Sequence, residues 1–189
     1  MRRRLPSLMA AALLALTGCG APQPYATLPR DAVTGAGDPT RAAIIGSAYA
    51  FASRPAGPEA ARAAAEVEYL ATEIPSGPRW IDFNPTIALS LRDARAELHE
   101  ALGIAGDAPP QAVVDGLFAA SRALRRGDAG AARAALGAPA FPDGAATLQR
   151  LARLPDLPRT RTATALAERE LYRVEQDNQI SSGGDGAKL

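Results

Sequence analysis

The stretch NPTIALSLRDARAELHEALG, residues 84–103, decides the fold class. Ile87, Leu91, Ala94, Leu98 and Leu102 recur at three- and four-residue intervals, the period of one face of an α-helix; a half-buried strand would alternate every second residue. Asn84-Pro85 supplies a side-chain cap and a proline at the first helical position, and Gly103 supplies the stop. The spacing predicts a helix over 85–102.

The same grammar repeats on both sides. Asp38-Pro39 opens a helix predicted over 39–54, with Ile44, Ile45, Ala48, Phe51 and Ala52 on one face. After Pro55-Ala56-Gly57, a second helix starts at Pro58 with an acidic first turn at Glu59 and a stripe of Ala60, Ala64, Val67, Ala71 and Ile74. The short connection makes these two an antiparallel hairpin. C-terminal to the opening stretch, helices are predicted over 109–126 (Val113, Leu117, Ala120, Leu124), 128–136, 144–154 (Leu148, Leu151, Leu154) and 159–177 (Ala163, Ala167, Leu171, Val174). The turn Leu124-Arg125-Arg126-Gly127-Asp128 is similar to that of a tetratricopeptide-type helical pair, but there is no 34-residue period. Seven helical segments with short Pro/Gly connections predict an all-α fold, a small bundle of about seven helices built from antiparallel hairpins, occupying residues 38–178. Beyond Asn178 the Ser/Gly-rich sequence has nothing to bury, and 179–189 reads as a disordered tail.

One connection is more than punctuation. Residues 75–84 place Trp80, the only tryptophan, with Ile81 and Phe83 in a loop. Such side chains either fold back as a lid on the core or form a wall that faces a ligand or partner, and both readings stay open here. His99 is the only histidine, and with one cysteine in the chain no metal site is expected; a hydrogen-bonded or solvent-facing structural role is. Asp93, Glu97 and Glu100 read as a solvated helix face.

The N-terminus carries the sharpest signal. Arg2 to Arg4 precede an apolar run from Leu8 to Leu16, too short to span a bilayer core of about 30 Å as a helix. Leu5-Pro6-Ser7 fits a twin-arginine signal poorly. The run ends in Leu16-Thr17-Gly18-Cys19, which resembles the lipobox of bacterial lipoproteins. That resemblance covers residues 1–19. It implies a signal peptide over 1–18, cleavage before Cys19, and acylation of that residue, with two or three chains giving a stable membrane anchor. It further implies a location on the periplasmic side of the membrane. Gly20 stands where an aspartate retains many such lipoproteins at the inner membrane, which favours the outer one. Cys19 is the only cysteine, so no disulfide framework is expected. The Pro- and Gly-containing stretch that follows, making up residues 19–37 with Cys19, reads as a flexible tether that holds the domain off the lipid.

Charge narrows the function further. The 189 residues carry 21 basic and 20 acidic side chains; removing 1–18, with three of the basic and none of the acidic ones, leaves 171 residues at net charge −2. A near-neutral chain lacks the concentrated basic stripe of a nucleic-acid binder, and no nucleic-acid partner is expected. Residues 59–115 hold ten acidic and four basic groups, residues 120–170 five acidic and nine basic. The two halves are expected to neutralise each other within the bundle. Alternatively Arg122, Arg125, Arg126, Arg133, Arg150 and Arg153 form a basic patch for anionic lipid or an acidic partner. No G-x-S-x-G elbow, H-E-x-x-H, C-x-x-C-H or P-loop is present, so no catalytic residue is nominated. The expected function is a non-enzymatic binding or scaffold module of the cell envelope, with a protein partner and no cofactor beyond the lipid on Cys19. The alternatives are a carrier holding a small apolar ligand between the helices and the 75–84 loop and, third, a hydrolase using His99.

Overall fold

The computed structural model describes residues 25–33 and 37–183. Among the described residues the chain is all-α: α1 Pro39–Ala52, α2 Gly57–Ser76, a 3-10 turn Pro78–Trp80, α3 Pro85–Leu102, α4 Pro110–Arg125, α5 Ala129–Ala135, α6 Gly144–Ala152 and α7 Pro158–Gly183. The opening stretch is helical over the residues its spacing predicts, capped by the Asn84 side chain and closed by Gly103 in the left-handed conformation. Predicted and observed helix ends elsewhere coincide or differ by at most two residues, with one exception at the C-terminus.

The organising element is α2. It packs against α1, α3, α4 and α6, while α7 lies across α1 and α3 and α5 joins α4 to α6. Thirteen of its twenty residues are buried, so its middle has no solvent face. A single stripe was expected; the structure instead buries Ala60, Ala61, Ala63, Ala64 and Ala65 in succession. Alanine is what makes this possible, since its small side chain lets neighbouring helices approach from several directions. The apolar area itself comes from Ile44, Leu70, Leu91, Leu102, Leu117, Leu136, Leu151 and Phe141, all under 2% exposed. Each such side chain contributes about 1.5–3 kcal/mol on burial.

Two expectations fail at the ends of the domain. Residues 25–33, placed in the flexible tether, are docked on the bundle: Ala26 and Ala32 are buried, the Ala26 amide donates to Thr72 Oγ1, and the Arg62 guanidinium donates to the Ala32 carbonyl at 2.9 Å. Thr27 is tied to Gln111 of α4 in both directions, through its own amide at 2.7 Å and its carbonyl at 3.1 Å. Composition suggested a spacer; small side chains at 26 and 32 make it a strap. At the other end α7 runs to Gly183, so 179–183, expected to be disordered, continue the helix. The Arg173–Asp177 pair and the Ser181 hydroxyl on the Asp177 carbonyl support these exposed turns locally, without burial. Residues 1–24, 34–36 and 184–189, with Cys19 and the rest of the expected tail, lie outside the described residues.

The charge halves do not pair with each other. Among the described residues no ion pair joins an acid of 59–115 to a base of 120–170; Glu66 and Glu68 find Arg62 and Arg95 within their own half. Glu97, read as solvated, caps α7 by accepting from the Arg159 and Thr160 amides and from Thr160 Oγ1, where a negative charge meets the positive end of the helix dipole.

The turn between α1 and α2 contains Arg54 at φ 53°, a left-handed conformation that costs a residue with a Cβ about 1–2 kcal/mol. Packing is tighter where α4 meets the 138–141 loop. A methyl on Gly116 would lie 2.7 Å from Phe141 Cε2 and 3.1 Å from the Ala135 carbonyl. Gly116→Ala should therefore destabilise the fold by about 1–3 kcal/mol in urea melts. Gly106→Ala, whose added methyl meets nothing within 4 Å, serves as the comparison and should not.

Candidate functional site

Three glutamates of α2 point into the protein, and each is held by a different neighbour. Glu68 accepts from Arg95 Nε and contacts His99 Nε2, both at 2.8 Å and both from α3. Glu66 accepts from Arg62 Nε at 2.8 Å, one turn earlier on its own helix, and lies against Gly46 of α1. Glu73 accepts from the Tyr25 hydroxyl of the strap at 2.6 Å and from Trp80 Nε1 of the loop at 3.1 Å. A buried carboxylate needs such partners, because desolvation of the charge otherwise exceeds anything packing returns.

The partners leave different marks. Burial pushes the Glu66 carboxyl up to about 7, and the hydrogen bond and charge of Arg62 offset this only in part. The hydrogen bond to Glu73 is the main reason that the Tyr25 phenol is raised to about 12. At Asp38, the cap of α1, partial burial acts upward, yet the hydrogen bond from Arg79 and those from the Arg41 and Thr40 amides bring the net shift below the usual carboxylate value.

The 75–84 loop divides its three large side chains. Trp80 and Phe83 are buried and meet edge to face, centroids 4.8 Å apart, while Ile81 stands 85% exposed. Arg79 covers the outer face of the indole at 4.6 Å and pairs with Asp38, fastening the loop to the start of α1. Two of the three residues nominated as a contact surface are thus a lid on the core, and Ile81 alone is presented outward.

Of the two roles expected for His99, hydrogen-bonded or solvent-facing, the structure shows the hydrogen bond, and the ring lines an open cavity of about 300 Å³ with Arg92, Arg95, Ala96 and Gly106. Its Nε2 is engaged by Glu68, which leaves Nδ1 as the ring nitrogen for any ligand. A carboxylate–imidazole pair can hold or pass a proton, but none of the lining side chains is a hydroxyl or thiol that it could activate. Among the described residues no group of three or more His, Cys, Asp or Glu is arranged to hold a metal ion.

The six arginines nominated as a patch do not share a partner. Arg122 pairs with Asp31 of the strap at 3.3 Å, Arg125 donates to Ser121 Oγ, and Arg150 donates to the Leu102 carbonyl at the end of α3. The guanidiniums of Arg126, Arg133 and Arg153 have no partner among the described residues. The sequence reading missed the three α2 glutamates altogether. Their signal was present: Glu66 and Glu73, seven residues apart, share one side of the helix and Glu68 lies opposite them, set among Ala63, Ala64, Ala65, Val67 and Leu70.

Glu66 gives the arrangement a measurable pH dependence. An unfolded carboxyl loses its proton near 4.5 and the folded one near 7, so between these values the folded state binds more protons and stability falls as pH rises. Relative to Glu66→Gln, the wild type should lose up to about 3 kcal/mol from pH 4.5 to 8. Chemical denaturation of both proteins at matched pH values measures this; parallel curves would contradict it. No protein-family model matches this chain, and no curated protein sequence or solved structure matches it either.

Proposed function

We propose that this protein is an envelope lipoprotein, held on the periplasmic side of a bacterial membrane by lipid on Cys19, whose helical domain binds another component of the envelope without catalysing a reaction. The observation that carries this reading is Leu16-Thr17-Gly18-Cys19 at the end of a short apolar run behind three arginines. No helix among the described residues is long and apolar enough to cross a membrane, so attachment in this reading rests on lipid. Gly20 favours the outer membrane.

The docked strap changes the mechanical picture. With 25–33 fixed to α2 and α4, six residue steps separate Cys19 from Tyr25, a reach of at most about 20 Å. The domain then works close to the lipid surface. Strap contacts with Thr72, Glu73 and Gln111 orient the C-terminal end of α2 and the start of α4 toward the anchor. With Trp80 and Phe83 in the core, a binding role falls to surfaces elsewhere on the domain.

Cys19→Ser should move the protein from the membrane fraction to the soluble periplasmic fraction while leaving its thermal melt unchanged. Retention of the variant in membranes would overturn the anchor.

A further inference from the structure

The connections α1–α2 and α6–α7 meet at one end of the bundle and enclose a cavity of about 200 Å³. Its floor is apolar: Phe51 and Leu157 are buried and Leu154 is half-buried. Its rim is cationic. Arg54, Arg153 and Arg161 all line it, with Asp156 as the one acid, and Asp156 is already taken by Arg161 at 2.8 Å. The guanidiniums of Arg54 and Arg153 have no hydrogen-bond or ion-pair partner among the described residues. Arg54 is also the one residue other than glycine, among those described, whose φ is positive, and that conformation belongs to the rim of this cavity.

A rim with net charge +2 above an apolar floor is complementary to an anion carried on an apolar body. Arginine's planar fork is suited to carboxylate and phosphate oxygens, which it binds through paired hydrogen bonds. The volume lies below the usual 300–1,000 Å³ of a drug-sized pocket, so it suits a small molecule or the charged end of a longer chain. We propose that this cavity is a binding site for a carboxylate or phosphate monoester borne on an alkyl chain. Arg54 and Arg153 grip the anion, Arg161 adds charge from its pair with Asp156, and the first carbons of the chain lie on Phe51, Leu154 and Leu157. Nothing in the site depends on Cys19, so its failure would leave the anchor untouched and the reverse holds equally.

The test is calorimetric titration of the full chain carrying Cys19→Ser, so that no acyl chain of its own competes, with octyl phosphate, inorganic phosphate and octanol. Octyl phosphate is expected to bind at least about tenfold more tightly than either of the others, since each of them offers only half of the complementarity. The Arg54→Gln/Arg153→Gln double variant should lose at least about tenfold in affinity with its melting temperature unchanged, and Arg126→Gln/Arg133→Gln should bind as the parent does. Equal binding of inorganic phosphate would reduce the cavity to a site for free anions, and equal binding of octanol to an apolar hollow; either overturns the proposal. So would absence of binding, or a double variant that binds as the parent does.

Discussion

A carboxylate shut away from water must be neutralised or hydrogen-bonded, and α2 carries three of them through the centre of the molecule. Together they tie α3, the strap and the 75–84 loop to this helix. Glu68 fixes α3 through Arg95 and His99. Glu73 collects the strap through Tyr25 and the lid through Trp80. Glu66 stays with Arg62, whose other donor holds the strap at Ala32. Alanine-rich helix faces slide easily over one another because few side chains interlock, and these directional contacts fix how the neighbours sit on α2.

How far the sequence could be read follows from what each element buries. α3 was legible because one face is apolar and the other polar, so periodicity alone sets its bounds. α2 was legible as a helix but not as the centre. An alanine counts equally for a buried and an exposed position, and a glutamate is read by default as solvated. Burial on all sides is a property of the neighbours, which local spacing does not contain. The strap was misread for the same reason: Ala26 and Ala32 say little until Thr72, Gln111 and Arg62 are seen waiting for them. His99 was read as hydrogen-bonded or solvent-facing without its partner, since Glu68 lies 31 positions away. The cavity at Arg54 joins loops about a hundred residues apart, and no motif announces it.

The functional reading draws these parts together near a membrane. A lipid on Cys19 would bring the domain within a short reach of the bilayer, and the strap would fix which end faces it. Charge on the surface is then distributed rather than concentrated: Arg122, Arg125 and Arg150 are occupied within the fold, whereas Arg54 and Arg153 stand free over an apolar hollow. In the proposed reading, recognition would rest on this small cationic site and on partner surfaces.

Hydrogen exchange resolved by residue tests most directly whether α2 is the element on which the rest depends. Amides in the middle of α2, from about Ala63 to Leu70, should exchange only through global unfolding and rank among the slowest in the protein, with α5 and the exposed end of α7 opening locally far sooner. Exchange in α2 as fast as in α5 would contradict a structure built around a buried, acid-bearing central helix.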